Sequence, residues 1–209
     1  MFGLEARKKE KMKKKNIEMV NGKLKQCESK IYDINYAIAN AKAALNTATR
    51  EIKADPNNKF LRQTIAKRLK LSMGRLITYN KFLEITKTYR SELKAKLTEL
   101  NSPSGVELFD ESFMSGMNKY FTNMDMCMEQ FKGMNSLQDL ENSIAQYSDM
   151  FGDYMDNETV QAVNAEIDAI LGGTTENVAT NAQNMEKINN VDPSLSEEME
   201  KIRAAINSN

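Results

Sequence analysis

The first residues of the chain carry the side chains best suited to chemistry, and that chemistry is electrostatic binding. Residues 1–15 read MFGLEARKKEKMKKK, with two apolar side chains, Phe2 and Leu4, ahead of a run of cations. The seven cations are Arg7, Lys8, Lys9, Lys11, Lys13, Lys14 and Lys15. Apolar side chains enter a membrane interface, and each lysine near anionic headgroups contributes about 1 kcal/mol. The pattern favours a membrane-binding arm, and a solvated basic tail that attracts nucleic acid by charge stays open as the alternative.

The other end of the chain carries a narrow apolar stripe. Residues 192–194 (Asp-Pro-Ser) offer a helix start, with a glutamate three residues after the serine, as in a capping box. On the helix that follows, the apolar side chains are Leu195, Met199, Ile202 and Ile206. A helix with one such stripe, placed after a linker, suits binding in the groove of a partner protein. Docking back onto the chain's own hairpin is an equally supported alternative.

Residues that catalysis would need are missing from the sequence. There is no histidine, no phosphate-binding loop, no glycine-rich cradle and no paired-cysteine spacing. Cys27 and Cys127 are a hundred residues apart at apolar helical positions, which predicts buried thiols and a reducing, cytosolic compartment. We therefore expect neither an enzyme nor a metal or cofactor site.

Two long helices are expected to position the basic arm. In the first, apolar residues recur at alternating gaps of three and four, the heptad pattern of a helix–helix seam. They are Ile17, Val20, Leu24, Cys27, Ile31, Ile34, Ile38, Ala41, Leu45, Ala48 and Ile52. A similar seam with more polar members follows, at Ile65, Leu69, Ser72, Leu76, Tyr79, Leu83, Thr86, Arg90, Leu93, Leu97 and Leu100. Pro56 lies between the two seams and lacks an amide donor, so residues 16–101 are predicted to form a helical hairpin.

The rest of the chain is predicted to be helical as well. Apolar stripes at helical spacing indicate shorter acidic helices over residues 107–171. Residues 172–192 are rich in Thr, Asn, Ala and Gln and are typical of a linker, although a weak helix over 176–187 stays open. Residues 193–209 form the C-terminal helix, and no stretch has the alternation of a strand. The predicted fold is all-α, with a long antiparallel helical hairpin, shorter acidic helices, a linker and a C-terminal helix.

The chain divides into a basic half and an acidic half whose net charges cancel. Residues 1–99 carry 24 Lys+Arg against 10 Asp+Glu, and residues 100–209 carry 5 against 19. This asymmetry predicts an anionic partner for the first half and attraction between the halves. The second hairpin helix should present a basic outer face, made of Lys59, Arg62, Lys67, Arg68, Lys70, Arg75, Lys81 and Lys87. No apolar run reaches about 18 residues, so we expect no membrane span, and the start lacks the apolar core of a signal peptide.

This order of segments resembles the ESCRT-III subunits, the charged multivesicular body proteins of the membrane-scission machinery. The stretch from Met117 to Met155 is most similar to subunits whose tails bind the microtubule-interacting-and-transport (MIT) domains of the disassembly ATPase. In that tail motif an acidic residue precedes a leucine, and an Arg-Leu pair and a leucine-basic pair follow. Here Glu198-Met199 matches the start and residues 204–206 match the end. The chain departs from the motif at Ile202-Arg203, which reverses the Arg-Leu order, and at Asn207, which replaces the basic residue.

The resemblance implies a non-enzymatic subunit that needs no cofactor. Such a subunit stays closed until its acidic helices leave the hairpin, then polymerises with itself and related subunits on anionic membranes, and is extracted by an ATPase pulling on the tail. Its place would be cytoplasmic and peripheral on membranes, endosomal or at a division site. Two other interpretations stay open: a membrane-stress coat protein of similar helical architecture, and a coiled-coil adaptor that binds nucleic acid or cytoskeleton through its basic half. Nucleic acid is the less favoured partner.

Overall fold

Helices make up the regular structure of this protein. The computed structural model describes residues 2–55, 57–102, 111–146, 157–172, 184–189 and 193–207, and within these ranges there is no strand. The helices are α1 (Phe2–Ala54), α2 (Lys59–Asn101), α3 (Glu111–Gly133), α4 (Leu137–Gln146), α5 (Asn157–Gly172), α6 (184–189) and α7 (Pro193–Asn207). The predicted all-α class is confirmed. The helix α6 lies inside the stretch predicted as a linker.

Helices α1 and α2 form the predicted hairpin, joined by a short turn. The amide of Asp55 donates to the carbonyl of Ile52 at 3.2 Å and closes the end of α1. Asn58 caps α2, because its Oδ1 accepts a hydrogen bond from the amide of Leu61 at 3.0 Å. Pro56, the predicted breaker, lies outside the described residues. Since α1 already begins at Phe2, the basic arm continues the first hairpin helix instead of preceding it.

The chain divides into two compact units that cut across the segments predicted from sequence. The first unit comprises Met1–Tyr36 and Phe82–Asp125, and the second comprises Ala37–Lys81 and Met126–Asn209. Helices α1, α2 and α3 each contribute to both units, so each unit takes its own part of the hairpin.

The first unit packs parts of α1, α2 and α3 around an apolar core. Its most buried side chains are Val20, Cys27, Ile34, Phe82, Leu93, Met117, Phe121 and Met124. Tyr89 of α2 meets α3 through aromatic contacts, with its ring centroid 5.8 Å from that of Phe113 and 5.4 Å from that of Tyr120. At the end of this unit, Lys30 Nζ lies 2.6 Å from Asp125 Oδ1, an ion pair between the basic and acidic halves.

The second unit collects the remaining parts of α1 to α3 and the helices α4 to α7. Its core includes Leu45, Ile52, Ile65, Leu69, Leu76, Phe131, Leu140, Val163, Ile167, Ile188 and Leu195. Here α2 is buried on two faces, because Met73 and Ile77 lie off the predicted seam and are also buried. The seam prediction thus described the contact with α1 and missed the contact with the later helices.

The predicted seam residues of α1 face the core, and fully buried members alternate with half-buried ones along part of the helix. Ile34 and Leu45 are fully buried, whereas Ile31 and Ile38 are half-buried. On α2 the polar seam residues Ser72 and Thr86 are buried and Arg90 is half-buried. The Thr86 hydroxyl lies within hydrogen-bond range of Met124 Sδ, at 3.9 Å. The polar positions in the second seam are therefore packed and not loose.

Several cations of the basic outer face predicted for α2 bind acceptors on other helices of the second unit. Arg62 donates to the carbonyl of Leu171 at 3.2 Å, and Lys70 Nζ lies 2.6 Å from Asp168 Oδ2. Arg75 donates to two carbonyls at the end of α3. These cations hold the acidic helices against the hairpin, so the free basic surface is smaller than the sequence predicts.

Candidate functional sites

The predicted membrane-binding cations lie together on the first turns of α1. Six of them are exposed: Arg7, Lys8, Lys9, Lys11, Lys14 and Lys15. The seventh, Lys13, is half-buried, and its Nζ donates to the carbonyl of Ser102 at 2.8 Å, at the end of α2. Phe2 and Leu4 belong to the helical backbone of α1, and their side chains lie outside the described residues. The structure thus provides an exposed cationic helix, and one of its lysines bonds to the end of the second hairpin helix.

An open groove of ≈ 1170 Å³ lies in the first unit, between the start of α1 and the start of α3. We call it the methionine–lysine groove and define it by Met12, Met19, Met114, Lys8, Lys11 and Lys15. Its lysines belong to the basic arm predicted from the sequence, whereas its methionines were not predicted to form a site. A signal was present, because Met12 and Met19 are seven residues apart and lie off the seam, on one face of α1.

The predicted partner-binding stripe of α7 is covered by the second unit. Leu195, Met199 and Ile202 are each no more than 2% exposed. The fourth member, Ile206, lies outside the residues whose side chains are described. In this conformation the stripe is therefore a docking face for the chain's own helices, and a partner reaches it only after α7 leaves.

Two ion pairs join α7, the helix that carries the stripe, to other helices of the second unit. Lys42 Nζ of α1 lies 3.8 Å from Glu198 Oε1, and Glu166 of α5 pairs with Arg203 of α7. Glu166 is fully buried, and its second oxygen, Oε2, has no hydrogen-bond partner among the described residues. A buried carboxylate with a single cation depends strongly on that cation, because an unpaired buried charge is costly.

Neither thiol has the character of a nucleophile. Burial raises the pKa of the Cys127 thiol to about 12, against a hydrogen bond with Ser143 that lowers it. Burial likewise raises the pKa of Cys27 above its ordinary value. Both thiols are therefore protonated at neutral pH and act as small apolar side chains.

The described ranges lack two features that would bear on function. No group of three His, Cys, Asp or Glu side chains there is arranged to hold a metal ion. None of the helices in the same ranges is long and apolar enough to cross a membrane.

Comparisons with protein families, with characterised proteins and with solved structures find no match to this chain.

Proposed function

We propose that this chain is an ESCRT-III-type subunit that binds anionic membranes, polymerises on them and remodels or severs them, and that an ATPase recycles it through α7. The observation that carries the proposal is the exposed cationic helix at the start of α1. Six exposed cations on about two turns give an attraction to anionic headgroups of about 1 kcal/mol each near the surface. Attraction of this size supports peripheral binding without a membrane-spanning helix.

The docked α7 supports the second element of the proposal, a closed subunit that opens before it assembles. Its apolar stripe is buried in the second unit, and its acidic residue Glu198 lies near Lys42 of the basic half. Release of α7 would expose both the stripe and the surface beneath it. The stripe would then be free for an MIT-type domain, and the uncovered surface would be free for another subunit.

Sedimentation of the full chain with liposomes tests the membrane step. A variant with Lys8, Lys9, Lys11 and Lys15 changed to Gln is compared with a control that changes four exposed lysines elsewhere. The control positions are Lys53, Lys67, Lys87 and Lys94. We expect the wild type to pellet with vesicles containing anionic lipid, the arm variant to lose most of that binding, and the control to keep it. Raising the salt concentration should weaken binding, because exposed charges are screened.

The same samples separate the alternative interpretations. If the arm variant and the control lose binding equally, then general positive charge binds the membrane and the arm is not the anchor. If the wild type does not pellet with anionic vesicles but binds duplex DNA at the same ionic strength, the adaptor interpretation replaces the proposal.

A further inference from the structure

The methionine–lysine groove combines an apolar lining with cations in a way that the proposed adsorption to membranes does not require. Met12 and Met19 are 47% and 37% exposed, which makes them two of the large apolar side chains that the described surface presents to water. Met114 of α3 lies against the same groove and is buried. Methionine is flexible and polarizable, so a lining of three thioethers adapts to a flexible aliphatic chain.

The cations of the groove lie on successive turns of one helix. Lys8, Lys11 and Lys15 are three and four residues apart, so their Cβ atoms are separated by about 5–6 Å along one side of α1. Among the described residues, no ion pair joins any of the three to a carboxylate. Glu18 and Glu111 also line the groove, but the lysines outnumber them. Three neighbouring ammonium groups suit one multiply charged phosphate better than separate carboxylates spread along a helix.

The size of the groove sets what it accepts. Its volume of ≈ 1170 Å³ is slightly above the roughly 300–1,000 Å³ of typical small-molecule pockets. One turn beyond Met19, Lys23 Nζ donates to Asn118 Oδ1 at 2.5 Å and ties α1 to α3. The groove is thus held open between two connected helices and is large enough for an aliphatic chain together with a headgroup.

We propose that the methionine–lysine groove binds one molecule of a phosphate-bearing, single-chain or lipid amphiphile, with the phosphate on Lys8, Lys11 and Lys15 and the alkyl chain on Met12, Met19 and Met114. This inference deepens the proposed membrane function, on which it rests, by naming a discrete ligand site in addition to general attraction to an anionic surface. A second copy of the chain is the competing occupant, and the experiment includes it as an outcome.

Methionine-methyl NMR of the full chain, titrated with dodecyl phosphate below its micelle concentration, tests the proposal. We expect saturable shifts of the Met12, Met19 and Met114 methyl signals, and no such shifts with inorganic phosphate or with an uncharged dodecyl glycoside. Changing Lys8, Lys11 and Lys15 to Gln should weaken binding about 100-fold, and Met12→Gln should weaken it about tenfold. A matched control that changes Lys53, Lys67 and Lys87 to Gln should bind as the wild type does.

Two other outcomes would overturn the inference, and each would point to a different role for the groove. Equal binding of inorganic phosphate, or no effect of Met12→Gln, would show a simple anion site without a chain-binding lining. Methyl shifts that depend on protein concentration without ligand, and that Met12→Gln abolishes, would assign the groove to a second copy.

Liposome sedimentation keeps the inference separate from the proposed function. If the Met12→Gln variant binds anionic vesicles normally and also binds dodecyl phosphate as tightly as the wild type does, the groove proposal fails and the membrane function stands. If the wild type binds dodecyl phosphate but ignores vesicles, the groove stands and the membrane function fails.

Discussion

At the scale of single residues, Arg75 shows how the basic half holds the acidic half in place. Its Nη2 donates to the carbonyls of Phe131 and Met134, each at 2.6 Å. The last carbonyls of a helix have no intrahelical donor, so Arg75 supplies donors that the end of α3 would otherwise lack. Nε of the same guanidinium is buried without a hydrogen-bond partner in the part of the chain that the structure describes. The arginine therefore acts as a cap supplied by a neighbouring helix.

Gly74, one residue before that arginine, permits α4 to approach α2. A Cβ at this position would clash with Leu140 Cδ2, and Leu140 is fully buried. Alanine in a helix is about 1 kcal/mol more favourable than glycine, whereas overpacking a core costs about 1–3 kcal/mol. We expect Gly74→Ala to lower the free energy of unfolding by about 1 kcal/mol in urea denaturation.

The sign of this effect should reverse when Leu140 is shortened. In a Leu140→Ala background, Gly74→Ala should raise the free energy of unfolding by about 1 kcal/mol, because only the helix propensity remains. Gly22→Ala is the control, since nothing lies within 4 Å of a Cβ built there, and it should stabilise the wild type. A destabilising Gly74→Ala in both backgrounds would mean that Leu140 is not the obstacle.

At the scale of helices, the sequence predicts the hairpin well because its seam depends only on local spacing. The alternating gaps place Ile34 and Leu45 correctly in the core, and the turn falls where the proline predicts it. The second buried face of α2, with Met73 and Phe82, was missed because it depends on helices that come much later in the chain. An apolar stripe on one helix does not predict how many other helices pack against it.

The two candidate sites were predictable to different degrees for the same reason. The cations of the arm are local in sequence and were found, whereas the groove also needs Met114, about a hundred residues away from Met12. For α7, the stripe of Leu195 and its neighbours fits either a partner or the chain's own core. The contact between Glu166 and Arg203, which accompanies the docked position of α7, joins two helices and is encoded by no local pattern.

The seam of the first unit provides a test at this scale. Ile34→Asp would place a charge at a position with 0% exposure, in the apolar core of the first unit. The lost apolar contacts and the buried charge should together cost at least about 3 kcal/mol of unfolding free energy. Asn35→Asp, an exposed neighbour, introduces the same charge and should change stability little. Equal urea midpoints for the two variants would show that the core lies on another face of α1.

At the scale of the whole molecule, the two charge halves are joined by ion pairs inside each unit. Lys30 pairs with Asp125 in the first unit, and Lys70 pairs with Asp168 in the second. Both carboxylates are largely exposed, so each pair contributes only about 0–1 kcal/mol. The exposed pairs therefore give the halves a weak, salt-sensitive attraction. Among the ion pairs of the described residues, the contact between α5 and α7 differs because its carboxylate, that of Glu166, is fully buried.

That buried contact should decide whether α7 is available to an ATPase. Glu166→Lys would place a second cation beside Arg203 at a fully buried position and leave the sequence of α7 unchanged. Breaking a buried pair costs about 3–5 kcal/mol, so α7 should undock and its amides should lose protection in hydrogen exchange. The full-length variant should then bind an MIT domain more tightly than the wild type, because the stripe no longer has to leave its own unit first.

Two further variants make the test specific to this contact: one exchanges the two charges of the pair, and the other reverses the charge of an exposed residue on the same helix. Glu166→Lys combined with Arg203→Glu should restore protection of α7, whereas Asp168→Lys, on the same helix but exposed, should leave α7 docked. If α7 undocks and the MIT domain still fails to bind, the reversed order at Ile202-Arg203 has removed the handle. The stripe then serves only to close the chain on itself. If α7 stays protected in Glu166→Lys, the apolar stripe holds the closed state without the ion pair, and opening must begin elsewhere in the second unit.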